Sequence, residues 1–168
     1  MINKLADSVG IEWFCTPMYP KAVDFLDPYV KKFKIRVSDG KSLFENKDSE
    51  LISRVLKTGK QVIISSQVSP RNTKYFDSQQ ISWLYCVPKY PCDLEDLDFR
   101  NIKDFDGYSN HCPHFLAPLT AASLGANIIE VHITSDKSKD FIDNNVSFDY
   151  IELTKLVELV HLSEKIRK

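Results

Sequence analysis

Short continuous apolar runs alternate along the chain with stretches whose apolar residues recur every three or four positions. Runs of the first kind mark buried strands, and the second spacing marks amphipathic helices. Continuous runs at Ile11–Phe14, Phe33–Val37, Gln61–Ser66, Ile81–Val87, Phe105–Ser109 and Asn127–Ile133 predict six strands. Helical spacing predicts Ile2–Val9, with Leu5 and Val9 on one side and Gly10 just past its end. It also predicts Lys21–Val30, which Pro28 shortens, and Lys47–Lys57, with Leu51, Ile52, Val55 and Leu56 inward and Gly59 closing it. Phe115–Leu124, closed by Gly125, is the next helix. A last helix over Phe148–Arg167, with Ser147 as N-cap, places Ile151, Leu153, Leu156, Val157 and Val160 on its inner side. Ser38-Asp39-Gly40 reads as a turn. Two stretches are weaker: Ser69–Gln80 has room for two helical turns, and Asp93–Lys103 reads as a loop with one.

Strands alternating with helices imply a parallel α/β arrangement. The unbroken apolar character of Gln61–Ser66 implies a sheet covered on both faces. A polar residue recurs at or just past the strand ends: Thr16, Lys34 to Ser38, Ser65, Tyr90, Ser109 with His111, and His132. Barrels of the (β/α)8 type assemble their active sites on that face. The expected fold is therefore a partial (β/α)8 TIM barrel over 1–168, a single domain about two βα units short of closure.

Composition narrows the function. With 168 residues, 43% of them hydrophobic, the chain can bury one core. Its 22 basic and 23 acidic residues give a net charge of -1 with no basic block, which argues against nucleic acid as a partner. No apolar run approaches ~18 residues, and the opening MINKLADSVG lacks the apolar core of a signal peptide. The expectation is a cytoplasmic protein with no membrane partner. Cys15, Cys86, Cys92 and Cys112 form no CxxC pair and are expected as reduced thiols. No Gly-rich nucleotide-binding motif is present.

The candidate chemistry centres on His111 and His132, at the ends of neighbouring strands one βα unit apart. Such a pair can share a divalent metal or polarise a substrate oxygen; each could also be a structural hydrogen-bonder. His111-x-x-His114 with Cys112 suggests zinc, but no second Cys/His pair completes a tetrahedral set. His161 falls on the polar flank of the last helix and reads as solvated.

The segments GIEWFCTP, KIRVSDG, QVIISS, LYCVPKYP, GYSNH and IIEVHIT resemble, in order and spacing, the strands of the sialic acid synthase (NeuB-like) family. GYSNH and IEVHIT, with His111 and His132 21 positions apart, carry the most specific part. The resemblance implies an enzyme that condenses phosphoenolpyruvate with an N-acetylated amino sugar and releases phosphate. It implies that His111 and His132 ligate Mn2+ or Mg2+, which polarises the sugar aldehyde. It makes Thr16, Lys34, Ser65 and Ser109 contacts to phosphoenolpyruvate, and it places Asp39, Tyr90 and Asp143 near the sugar. Lys34, Thr16 and Ser65 equally suit plain structural roles at strand edges.

The chain departs from the family pattern at several points. Pro88 stands where an Asn or Ser contact is usual, and Asn110 replaces the usual Asp beside the first histidine. The resemblance places the family's first two βα units upstream of Met1 and finds no C-terminal antifreeze-like (SAF) domain. It implies a homodimer, or a partner segment that completes the barrel. Two further readings stay open: a non-catalytic sugar-binding or assembly homologue, and another metal-dependent barrel such as an aldolase or sugar isomerase. The absence of a carboxylate-rich set at the strand ends counts against the second.

Overall fold

The computed structural model describes residues 2–167. The chain packs as two compact units, Met1–Ser65 with Pro70–Ser82 and Ser66–Ser69 with Trp83–Lys168.

In the first unit, helix α1 (Ile2–Val9) ends at Gly10, whose φ of 72° is the left-handed conformation expected of a residue just past a helix. The predicted strand Ile11–Phe14 does not form. A single parallel bridge joins Cys15 to Phe33, with Lys34 N donating to Cys15 O at 3.0 Å. Ile11 and Phe14 lie exposed, so the run has the composition of a strand without a ladder to hold it. Helix α2 (Pro20–Leu26) opens on its proline and stops before Pro28, as the fixed φ and missing N–H of proline dictate.

Strand β1 (Lys32–Ile35) is followed by a short helix α3 (Val37–Gly40) and a 3-10 turn, Lys41–Glu45, where only a turn was expected. Gly40 permits this path: a Cβ there would stand 3.1 Å from the Ile64 side chain. Helix α4 (Glu50–Lys57) starts later than its apolar spacing predicts, because Ser49 caps it by accepting a hydrogen bond from Ile52 N. Strand β2 (Gln61–Ser66) matches expectation and pairs parallel with β1 in the register Lys34↔Ile63 and Ile35↔Ile64. The weak stretch Ser69–Gln80 holds one 3-10 turn, Pro70–Asn72. Val23, Phe33, Ile35, Leu43, Ile52, Val55 and Val62 form this unit's core.

In the second unit, β3 (Ile81–Tyr85, whose first two residues belong to the first unit) pairs parallel with β4 (Gly107–Ser109), and β4 with β5 (Ile128–Glu130). The order β1-β2-β3-β4-β5 is sequential. A doubly wound sheet reverses its order at a switch point; a barrel segment does not. The fold class is that of a partial TIM barrel.

Asp93–Lys103 forms two 3-10 turns within Leu94–Asp96 and Phe99–Asp104 rather than one helical turn. The predicted strand Asn127–Ile133 breaks at Val131. Its end, β6 (His132–Ile133), pairs instead with β7 (Ser147–Phe148). Ser147 is thus a strand residue and not a cap. Asp149 caps helix α6 (Tyr150–Ile166), accepting from Ile151 N and Glu152 N while Glu152 accepts from Asp149 N. That reciprocal pair outcompetes a single serine. The inner side of α6 is carried by buried Leu156, with Leu153, Leu159 and Val160 half-buried; Ile151 and Val157 point outward, against expectation. The small-residue helix α5 (Leu116–Ser123) packs against α6 and tolerates Pro118 because it falls in the first turn. Among the described residues no helix is long and apolar enough to cross a membrane.

Candidate functional site

The second unit holds five candidate residues, Tyr90, Ser109, His111, His132 and Asp143. His111, 7% exposed, follows β4; His132 opens β6; and their ring centroids lie 5.6 Å apart. His111 Nδ1 lies 2.7 Å from Val87 O. A carbonyl can only accept, so Nδ1 carries a proton, and in the neutral tautomer this leaves the lone pair on Nε2. That nitrogen lies 3.8 Å from the Cys86 sulfur.

His132 is oriented from two sides. Its Nδ1 lies 3.5 Å from Asp143 Oδ2, and its Nε2 lies 3.4 Å from the Tyr90 hydroxyl. The Tyr90 ring lies against His111, with centroids 3.9 Å apart and a 34° tilt. Burial pushes the Tyr90 phenol up to about 12, and the charges of Cys86, Asp143 and Glu130 add to the effect. Although 55% of the residue is exposed, its hydroxyl is a neutral donor at physiological pH.

Ser109, at the end of β4, donates to Glu130 Oε1 at 2.9 Å. Glu130 was not singled out in the sequence. The signal available was its place on β5, two positions before His132, on the same face of the strand run. Asn110 is buried and turned into the loop. Its Oδ1 accepts from Tyr108 OH at 3.0 Å and Cys112 N at 3.2 Å, and its Nδ2 donates to Cys112 O at 2.7 Å. Its contacts therefore hold the backbone that carries His111. Cys92 is a poor nucleophile, because burial first and Cys112 second push its thiol up to about 12.

The first unit brings together Lys34 and Ser65. Lys34 is 8% exposed, and its ammonium donates to Ser65 Oγ at 2.6 Å. Asp39 instead accepts two bonds from the Arg36 guanidinium, at 2.7 and 3.0 Å, and that contact holds the Arg36 pKa above its ordinary value. Thr16 lies one residue past the Cys15–Phe33 bridge.

The donor set was tested against a divalent cation. Among the described residues no three His, Cys, Asp or Glu side chains are arranged to hold a metal ion, which leaves no basis for structural zinc at His111, Cys112 and His114. The two imidazoles nonetheless fit a cation with open positions. Each has an oxygen acceptor at Nδ1, Val87 O or Asp143, the arrangement that orients metal-binding histidines.

The model of the NeuB family matches residues 1–168, and the chain belongs to that family. It is 33% identical over 98% of its length to an uncharacterized protein of Methanocaldococcus jannaschii, covering 52% of that protein. It is 28% identical over 97% of its length to the pseudaminic acid synthase of Campylobacter jejuni, covering 50% of it. The crystal structure of N-acetylneuraminic acid (sialic acid) synthetase from Leptospira borgpetersenii, in complex with citrate, superposes with a TM-score of 0.83 at 27% identity, over 98% of this chain and 61% of that one. The chain thus spans about half the length of the curated relatives it matches.

Proposed function

We propose that the chain carries part of the active site of a nonulosonic acid synthase, which joins phosphoenolpyruvate to an N-acetylated amino sugar and releases phosphate. Family membership and the paired imidazoles of His111 and His132 support this reading. In the proposed reaction carbon 3 of phosphoenolpyruvate forms a bond to the sugar aldehyde carbon, water adds at carbon 2, and the C–O bond to phosphate breaks. A divalent cation such as Mn2+ or Mg2+, held by His111 and His132, would supply Lewis-acid polarisation of the aldehyde oxygen.

The chain's own groups have the chemistry for the remaining work. Tyr90, kept neutral, donates a hydrogen bond toward the oxygen that gains charge. Asp143 orients His132 and can accept from a sugar hydroxyl. Lys34, preset by Ser65, supplies a buried cation for the phosphate or carboxylate of phosphoenolpyruvate. Ser109 and Glu130 form a hydroxyl–carboxylate pair able to hold a water. Thr16 and Asp39 are assigned substrate contacts on the resemblance alone.

The test is phosphate release from phosphoenolpyruvate with Mn2+ and N-acetylmannosamine or a diacetamido sugar. It is measured on the chain alone and on the chain complemented in trans by the upstream residues of the Campylobacter synthase. Sugar-dependent release that His132→Ala abolishes supports the reading. No sugar-dependent release from the complemented chain contradicts it. A second reading, a binding or assembly homologue without turnover, is motivated by Pro88 and Asn110; binding of sugar without release would select it.

A further inference from the structure

Helix α6 is apolar on both sides. Its inner side, centred on buried Leu156, packs against α5. On the outer side Ile151 is 82% exposed and Leu162 is 53% exposed. A helix that is apolar all round is ordinarily covered all round, so the outer side calls for a partner. Ile151, Lys155, Glu158 and Leu162 follow one another at spacings of four, three and four, which sets them on one stripe of the helix. All four are exposed, and among the described residues neither Lys155 nor Glu158 has an ion pair or hydrogen bond. Tyr150, Ile151, Thr154, Lys155 and Glu158 line a hollow of about 490 Å3 along the first half of the stripe.

The stripe is its own complement. An apolar residue stands at each end, and a cation and an anion stand between them. A second copy can lie antiparallel across it, about a two-fold axis between Leu156 and Val157. Ile151 of each copy then meets Leu162 of the other, and Lys155 of each meets Glu158 of the other. The stem of Glu158 and the side chain of Leu162 from one copy enter the hollow of the other. A two-fold contact between identical chains has this form, residue i on j and j on i. A wholly basic or acidic partner would set one of the two charges against its like. A wholly apolar partner would bury both charges unpaired. We infer that the outer stripe of α6 is a homodimer contact, made by an antiparallel pair of α6 helices. The contact does not depend on turnover.

The test is sedimentation velocity of the whole chain at about 1 to 200 µM, a range that suits the small interface of one helix pair. A monomer–dimer equilibrium is expected within it. Leu162→Asp, Lys155→Glu and Glu158→Lys should each weaken the dimer at least about tenfold. Lys155→Glu combined with Glu158→Lys restores opposite charges at both contacts and should recover the native affinity to within about threefold. The positions are exposed, so circular dichroism of every variant should match that of the native chain. A chain monomeric throughout, a dimer indifferent to Leu162→Asp, or a double reversal as weak as the single ones would overturn the inference. So would a monomeric chain that binds the upstream residues of the Campylobacter synthase and loses them on Leu162→Asp, since the stripe would then belong to that segment.

Discussion

Asn110 does something that an ionised aspartate cannot do: it donates and accepts at once. Its amide closes three hydrogen bonds around Tyr108 and Cys112, in a place shut off from water. Truncation would strand a hydroxyl, an N–H and a carbonyl there, and each orphaned buried group costs about 1–3 kcal/mol. Asn110→Ala should therefore lose about 2–4 kcal/mol in urea unfolding; a loss below about 1 kcal/mol would show that the clamp is not structural. At this scale the sequence was legible where a position is set by strand spacing, as for the closeness of His111 and His132. It was not legible where the role depends on which neighbour arrives from another element. The resemblance sets Asp39 near the sugar, yet Arg36 folds back onto it. The stacking of Tyr90 on His111 comes from a loop 21 positions upstream. Glu130 gained its significance only when Ser109 was placed beside it.

The position of the two histidines depends on how closely β4 approaches β5. Gly107 makes the approach possible. A Cβ built there would stand 2.0 Å from the Ile128 carbonyl oxygen and 2.8 Å from its carbonyl carbon, both main-chain atoms with no freedom to withdraw. Gly107→Ala should force the parallel pair Gly107↔Ile128 apart and destabilise the protein by about 3 kcal/mol or more. Urea unfolding of this variant with a near-native midpoint would contradict that account. Strand β2 was readable from its apolar run because it is flanked by partners that bury it. Ile11–Phe14 has the same composition and remains exposed, because a strand also needs a ladder and composition cannot report one. The two-residue strands β6 and β7 are shorter than any periodic signal, so Ser147 passed for a helix cap. Asp149 and Glu152, a capping box written plainly in the sequence, were the better guide to the start of α6.

At the scale of the whole molecule, sequential strand order and membership of the NeuB family describe part of a barrel, and the proposed synthase chemistry lies at its strand ends. Turnover draws on residues throughout such an enzyme, but the paired imidazoles belong to one compact unit of this chain and can be tested there. The most direct measurement is a Mn2+ titration of the chain followed by electron paramagnetic resonance, comparing the native protein with His111→Ala and His132→Ala. One Mn2+ bound per chain is expected, with affinity lowered at least about tenfold in each variant. Should Mn2+ fail to bind, or bind equally well without either imidazole, His111 and His132 would not be the metal ligands and the proposed chemistry would lose its centre.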